Sequence, residues 1–217
     1  MKLAEDPAEQ TTAVTNIILS LVAFGGVLLL QCSPVTAGGL WRIHIWSTAI
    51  GLMGLAAALG AVAHGLLLKT IIHNRIWQVL NLALALAVSL FVVGVINDLF
   101  SYELARKALP FMLIAGLGFY LTTLIFPGIF FVFIVYEGLA LLFSLGAYLF
   151  LSATGEPGAG FMASGVLLSI VAAGLQARKS ILITLIWKFD HNGIYHIVQT
   201  FGLLFLIAGL LGMTIFN

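Results

Sequence analysis

Apolar runs long enough to cross a bilayer fill almost the whole chain, and this feature limits its fold more than any other. Hydrophobic residues make up 62% of the 217 residues and charged residues only 8%. A typical soluble domain carries about 25% charged residues, because its surface faces water. The hydrocarbon core of a bilayer is about 30 Å thick and takes about 20 apolar residues per helix. The sequence therefore predicts a single integral membrane domain, residues 1–217, made of transmembrane α-helices.

Polar and glycine- or proline-rich interruptions divide the chain into seven predicted spans. A Pro127–Gly128 turn signal splits the apolar stretch from Ala108 to Leu151, which is too long for one helix. Residues 180–190 are predicted to form an interfacial helix, with Trp187 and Lys188 at the level of the lipid headgroups. The predicted fold class is all-α, a polytopic seven-transmembrane helix bundle. Its helices cover about residues 15–31, 43–68, 76–96, 108–126, 129–151, 161–177 and 193–216.

The distribution of basic residues predicts the orientation of the bundle. With seven spans, the N-terminus and the even-numbered loops share a side, which carries six of the nine Lys and Arg residues. Cytoplasmic loops are enriched in these residues. The acidic N-terminal segment also lacks the basic start of a signal peptide. We therefore expect an uncleaved, multi-pass protein of a plasma or bacterial inner membrane, with the N-terminus in the cytoplasm and the C-terminus outside.

Two histidines from distant parts of the chain fall near the predicted cytoplasmic ends of their spans. His64 lies late in the second span and His196 early in the seventh, each about 5 Å inside its helix at 1.5 Å per residue. Asn192 lies one helical turn before His196, and Gln199 lies nearly one turn after it. These three residues form a polar stripe on an otherwise apolar helix. Polar side chains inside a span are expensive and often functional.

Further polar residues extend this cluster. Asp190 and His191 stand at the start of the seventh span, and Asn81 lies early in the third. Glu137 is predicted about nine residues into the fifth span, near the middle of the bilayer. A carboxylate at that depth marks a substrate or proton pathway, or it is protonated and bonded to a neighbouring helix. Amides and imidazoles also join helices to each other by hydrogen bonds, at about 0.6 kcal/mol each.

This arrangement resembles the CREST superfamily of seven-transmembrane hydrolases, which includes alkaline ceramidases, adiponectin and progestin receptors and haemolysin III-like proteins. In that superfamily, zinc is held by one histidine on helix 2 and by a His-x-x-x-His pair on helix 7. His64 matches the helix 2 ligand, and His196 matches the second histidine of the pair. Asn192 stands at the position of the first, with His191 one residue earlier. Gly60 stands where the family has a serine, one turn before the helix 2 histidine.

The resemblance implies a divergent metallohydrolase that acts on a lipid amide or ester entering from the bilayer. Its zinc ligands would be His64, His196 and either His191 or Asp190, with water as the fourth. Zinc lowers the pKa of bound water towards about 7, which supplies hydroxide for attack on a carbonyl. Asp190 would act as the general base. Asn81 or Asn192 would hydrogen-bond the oxyanion. The aspartate that the family carries early in helix 3 has Asn81 or Gln78 as its nearest polar counterpart.

Three other functions stay open at this stage. His64 and His196 are also suited to bind haem b as axial ligands. The incomplete metal motif and the lack of a soluble domain favour a non-catalytic lipid- or ligand-binding protein, or an accessory subunit of a larger membrane complex. A transporter built around Glu137 is the third. The expected partners are membrane lipids, a lipid substrate, further copies of the chain or a larger complex. A net charge of +1 gives no basis for binding nucleic acid.

Overall fold

Seven α-helices run through the computed structural model, which describes residues 2–34, 39–126, 130–184 and 186–215. Each contains a stretch long and apolar enough to cross a membrane. This confirms the predicted all-α seven-helix bundle and an integral, multi-pass membrane protein. The helices are α1 (Pro7–Cys32), α2 (Leu40–Gly65), α3 (Thr70–Leu99), α4 (Tyr102–Ile125), α5 (Phe130–Ala153), α6 (Ala159–Ala177) and α7 (His191–Ile215).

The first helix begins eight residues earlier than predicted because its start is capped. The Asp6 side chain accepts a hydrogen bond from the Ala8 N–H at 3.0 Å, and Pro7 takes the first helical position. Proline suits that position, since the backbone N–H it lacks would have no partner inside the helix. The added turns place Glu9 and Thr12 on the helix. The predicted Pro127–Gly128 turn and the predicted helix limits at residues 129 and 216 lie outside the described residues.

Two short antiparallel strand pairs lie at the same end of the bundle. β1 (Lys2–Leu3) pairs with β2 (Leu66–Leu67), which directly follows α2. β3 (Leu182–Thr184) pairs with β4 (Lys188–Asp190), which directly precedes α7. The predicted interfacial helix at residues 180–190 is therefore wrong, because this segment folds back on itself as a hairpin. Its β-branched residues Ile183 and Thr184 favour a strand over a helix, and Trp187 is exposed near its tip.

The helices pack in a ring that closes between the first and the last. α1 packs on α2 and α7, α2 on α3, α3 on α4 and α5, α5 on α6, and α6 on α7. α4 contacts mainly α3, and large apolar side chains on the rest of its surface are exposed. Because consecutive helices alternate in direction, the starts of α1, α3, α5 and α7 share one end with the ends of α2, α4 and α6. We call it the histidine end, since it carries His64 and His196.

Glycines on α2 let α1 approach closely. A Cβ atom added at Gly54 would lie 3.0 Å from the Ala23 Cβ, and one added at Gly65 would lie 3.0 Å from the Ala13 Cβ. Both distances are shorter than normal contact, so the two backbones meet where side chains are missing. Small residues at helix interfaces give the van der Waals packing that drives association in lipid. The interface between α1 and α2 thus fixes the place of His64 beside α1.

An ion pair locks the opposite end. Arg42 Nε donates to Asp98 Oδ1 at 2.6 Å, and Arg42 Nη2 donates to Asp98 Oδ2 at 3.2 Å. The Tyr148 hydroxyl donates to the same Oδ2 at 2.9 Å. The Asp98 side chain is 0% exposed, so the network ties α2, α3 and α5 together away from water. Removing one partner of such a pair typically costs about 3–5 kcal/mol, because a buried charge is left without compensation.

Candidate functional site

His64 is paired with an acid on α1. Its Nδ1 lies 2.6 Å from Glu9 Oε2. Its ring meets the Trp77 ring edge-on, with centroids 5.6 Å apart. His64 is the second-last residue of α2 and therefore sits nearer the helix end than predicted. The imidazole is thus enclosed by α1 and α3, and one of its two nitrogens is engaged.

Asp190 caps the start of α7 and gathers hydrogen bonds from two helices. Its Oδ1 accepts from the Gly193 N–H at 2.8 Å and from the Thr12 hydroxyl at 2.9 Å. Its Oδ2 accepts from Asn192 Nδ2 at 3.3 Å, and His191 Nδ1 lies 3.9 Å from Oδ2. An acidic side chain at a helix N-terminus is stabilised by the helix dipole. The Asp190 carboxylate therefore joins α7 to α1.

The pKa of Asp190 lies below its ordinary value of 3.8. Burial raises this pKa, but the hydrogen bonds from Gly193 and Thr12 lower it, as do the nearby His191 and His64. Hydrogen bonds and positive charge favour the ionised form of a carboxyl group. Asp190 is therefore an anion at neutral pH, with both oxygens already engaged.

Further along α7, the polar stripe is bonded to α1 and α6. His196 is buried, and its Nδ1 lies 3.3 Å from the Thr15 hydroxyl. Gln199 Nε2 donates to the Ser169 hydroxyl at 3.1 Å. Asn192 Oδ1 accepts from Gln176 Nε2 at 3.5 Å. These polar side chains therefore satisfy one another across the helix interfaces.

The structure brings most of the predicted site residues to one end, with three exceptions. His64, Asp190, His191, Asn192 and His196 gather at the histidine end, as the contacts above show. No hydrogen bond or ion pair joins Asn81 to any described residue. Glu137 and Gln199 lie deeper and line a cavity.

The gathered side chains do not fit the zinc site that the resemblance implies. In the described ranges, no group of three or more His, Cys, Asp and Glu side chains is placed to hold a metal ion. Catalytic zinc usually takes three protein ligands and a water molecule. Here the Asp190 oxygens are engaged by hydrogen bonds, and one nitrogen each of His64 and His196 is engaged as well. We therefore derive no reaction step through zinc, and the zinc site stays a prediction.

Gly60 has a structural reason for its lack of a side chain. A Cβ atom at Gly60 would lie 2.9 Å from Asn16 Oδ1 and 3.2 Å from Asn16 Cγ. Asn16 is buried on α1, and its Nδ2 donates to the Thr12 carbonyl at 3.2 Å. The amide of Asn16 thus fills the space that a serine at position 60 would need.

A cavity of about 70 Å³ lies between α2, α3, α5, α6 and α7. Its walls are mostly apolar, and polar groups come from Glu137, Ser169, Tyr195 and Gln199. Neither His64 nor His196 lines it. Buried polar groups that converge on an apolar cavity are typical of small-molecule sites. The cavity and the histidine cluster are therefore separate features.

Two polar groups on the cavity wall have no partner among the described residues. Glu137 makes no hydrogen bond or ion pair there. Trp46 is 1% exposed, and its indole N–H is also without a hydrogen-bond partner. The buried indole N–H, left unsatisfied, costs about 1–3 kcal/mol, whereas Glu137 is only partly buried.

The model of one sequence family, described as a family of unknown function (DUF6962), matches residues 11–215. The chain belongs to this family. No curated protein matches the chain. No solved structure matches it either. The match covers all seven helices, from the second turn of α1 to the end of α7.

Polar residues of α1 are the part of the site that sequence reasoning missed. Glu9, Thr12 and Asn16 follow one another at spacings of three and four and therefore share one helix face. That pattern goes unnoticed when the first helix is taken to begin at Thr15. The Asp6–Pro7 pair was the available signal, since aspartate is a favoured N-cap and proline is favoured at the first helical position.

The lowered pKa of Asp190 predicts a pH-dependent contribution to stability. A carboxyl group with a folded-state pKa below its unfolded value stabilises the fold above the unfolded pKa, and this contribution is lost as the pH falls through the folded pKa. We expect Asp190→Asn to lower the free energy of unfolding at neutral pH, because Asn keeps the shape but not the charge. The gap to wild type should shrink below about pH 4. Equilibrium unfolding of both proteins in mixed micelles, between neutral pH and about pH 3, measures this difference in the free energy of unfolding.

The matched control for this experiment is Glu103→Gln, which removes an exposed carboxylate from the first turn of α4. It should change the free energy of unfolding by less than about 0.5 kcal/mol. A gap between wild type and Asp190→Asn that stays constant down to about pH 3 would contradict the assignment.

Proposed function

We propose that this protein is a non-catalytic, ligand-binding protein of the membrane, which holds a small molecule in the cavity between α2, α3, α5, α6 and α7. The observation that carries the proposal is Glu137. Its carboxyl group lines the cavity without a described partner, and an ionisable residue inside a span calls for a functional explanation.

The histidine end supports the same proposal by its own chemistry. Glu9 engages His64, Thr12 engages Asp190, and Thr15 lies beside His196. Hydrogen bonds of this kind hold helices together in lipid. Polar groups that bond to one another are poorly placed to take up a substrate. The polar side chains of the histidine end therefore join α1, α2 and α7 by hydrogen bonds. The ligand site lies farther from that end, in the cavity.

Filling the cavity tests the proposal. Ala140 lines the cavity one turn after Glu137, so Ala140→Leu should fill it. We expect some members of a library of small compounds to raise the melting temperature of the wild type in detergent, and to lose this effect in Ala140→Leu. A ligand at about 100 times its Kd stabilises a protein by about 2.7 kcal/mol, which a thermal scan detects.

The control is Leu139→Ala, next in the chain, at a side chain that is 66% exposed on the outer surface of α5. Compounds that bind in the cavity should stabilise this variant as they stabilise the wild type. Compounds that stabilise wild type and Ala140→Leu equally would place binding elsewhere and contradict the proposal.

A metallohydrolase like those of the CREST superfamily is the second candidate. It is favoured by one observation, the gathering of His64, Asp190 and His196 at one end of the bundle. Elemental analysis and an absorbance scan of protein purified without chelators separate the two candidates. We expect neither near-stoichiometric zinc nor a haem Soret band, because the nearby groups engage one another. Zinc that is lost in His64→Ala and His196→Ala would favour the hydrolase instead.

The orientation with a cytoplasmic N-terminus belongs to the proposal as well. Arg42, one of three basic residues on the predicted outer side, is bound to the buried Asp98, so the basic residues in loops favour the histidine end more strongly. Cys32, the one cysteine of the chain, is exposed at the end of α1. A membrane-impermeant maleimide should label it on intact cells, and Cys32→Ser should abolish the label. Labelling only after permeabilisation would indicate the opposite orientation, with the N-terminus outside.

Lipid contact and self-association complete the proposed set of partners. The exposed surface of α4 carries large apolar residues such as Phe111 and Ile114. Bilayer lipid suits this surface, and so does a second copy of the chain or a larger membrane complex.

A further inference from the structure

The polar end of the cavity offers hydrogen-bond acceptors more than donors. Gln199 Nε2 donates one hydrogen bond to the Ser169 hydroxyl, and that hydroxyl donates to the Gly165 carbonyl at 3.1 Å. The Gln199 side-chain oxygen and the Glu137 carboxylate accept no hydrogen bond from a described residue. The Tyr195 hydroxyl, on the same wall, adds a third oxygen. A ligand group with several N–H donors would match these oxygens.

The carboxyl group at this end favours a cationic ligand. An ionised carboxylate in a dry, apolar setting is strongly unfavourable unless it is paired. No described Lys, Arg or His forms an ion pair with Glu137. An ammonium group carries three donors and no acceptor, so a primary ammonium would both neutralise Glu137 and donate to the neighbouring oxygens. A guanidinium, with a planar fork of five donors, would need more room and more acceptors.

The length and width of the cavity limit the shape of the rest of the ligand. Glu137 lies seven residues inside α5 and Gln199 eight residues inside α7, hence about 10–12 Å from the histidine end. Trp46 lies nineteen residues from the same end of α2, about 28 Å away. A volume of about 70 Å³ over that depth makes the cavity narrow. An engineered cavity that accepts benzene has about twice this volume, roughly 150 Å³.

We infer that the cavity binds a short, unbranched primary alkylammonium ion, with the ammonium group between Glu137, Gln199 and Tyr195 and the alkyl chain directed towards Trp46. This inference rests on the proposed ligand-binding function and names the ligand class. The apolar residues between the two ends, such as Met53 and Leu141, would contact the chain. A branched amine would be too wide for the space between the helices.

Calorimetric titration of the detergent-purified full chain tests the inference. The probes are n-alkylammonium chlorides from methyl to octyl and the n-alkanols of matched length. Titration of empty micelles corrects for partition of each probe into detergent. We expect affinity for the amines to rise about fourfold per methylene group until the cavity is full, and then to level off. Each amine should bind at least about tenfold more tightly than its alkanol.

Variants assign the effect to the cavity. Glu137→Gln should remove the preference for amine over alkanol, because it keeps the shape but removes the charge. Ala140→Leu keeps the carboxylate, so it should retain methylammonium binding and lose the gain from longer chains. This second variant also keeps the test informative when Glu137→Gln does not fold. In the wild type, tert-butylammonium should bind more weakly than n-butylammonium.

Three results would overturn the inference. Equal binding of amines and alkanols in the wild type would reject the cation while leaving a cavity-binding function intact. Amine binding that survives unchanged in Glu137→Gln would place the ammonium group elsewhere. No binding of any amine, in a protein that other compounds stabilise through the cavity, would show that the ligand is not a primary amine.

Discussion

Lipid offers no hydrogen-bond partner, and this constraint governs every polar side chain in the bundle. The protein meets it by joining polar groups across helix interfaces. At one end, Asp190 binds Thr12 of α1 while it caps α7. At the other end, Arg42 binds Asp98 in a pair that is closed to water. Glycines on α2 support these contacts, because α1 can approach closely only where side chains are missing. An ion pair and side-chain hydrogen bonds thus join the helices at the two ends of the bundle, and side-chain packing joins them between the ends.

Polar groups that lack a partner inside the bundle are the ones that point to a function. Most polar groups at the histidine end are satisfied by their neighbours, so their presence is explained by stability alone. Glu137 is not explained in that way, since it faces a cavity with no described partner. An unpaired carboxylate against apolar walls is strongly unfavourable in its ionised form. A fold that tolerates this cost at a carboxylate has a reason to do so, and a cationic ligand supplies one.

Composition and turn signals were sufficient to predict the seven helices, because a span in lipid must be long and apolar whatever its neighbours are. The gathering of His64, Asp190 and His196 at one end was also predictable, since helix direction alternates along the chain. Contacts between distant segments were not predictable from one sequence. Asp98 looks like a solvated residue at a helix end until Arg42 is placed beside it. The hairpin before α7 depends on pairing that an apolar pattern does not reveal. The cavity is a property of packing, which no local pattern contains.

Gly60 shows why a resemblance in pattern need not carry over a function. In the CREST pattern, a serine stands one turn before the helix 2 histidine. In this chain, Asn16 of α1 fills that space, and a Cβ atom at Gly60 would already be too close to it. Gly60→Ser would therefore displace the side chain of Asn16, and the same helix, α1, carries the partners of Asp190, His196 and His64. The polar groups of the histidine end thus all form contacts that hold α1 against the other helices. Chemistry that requires these groups to be available would loosen the bundle, whereas a ligand in the cavity leaves them bonded.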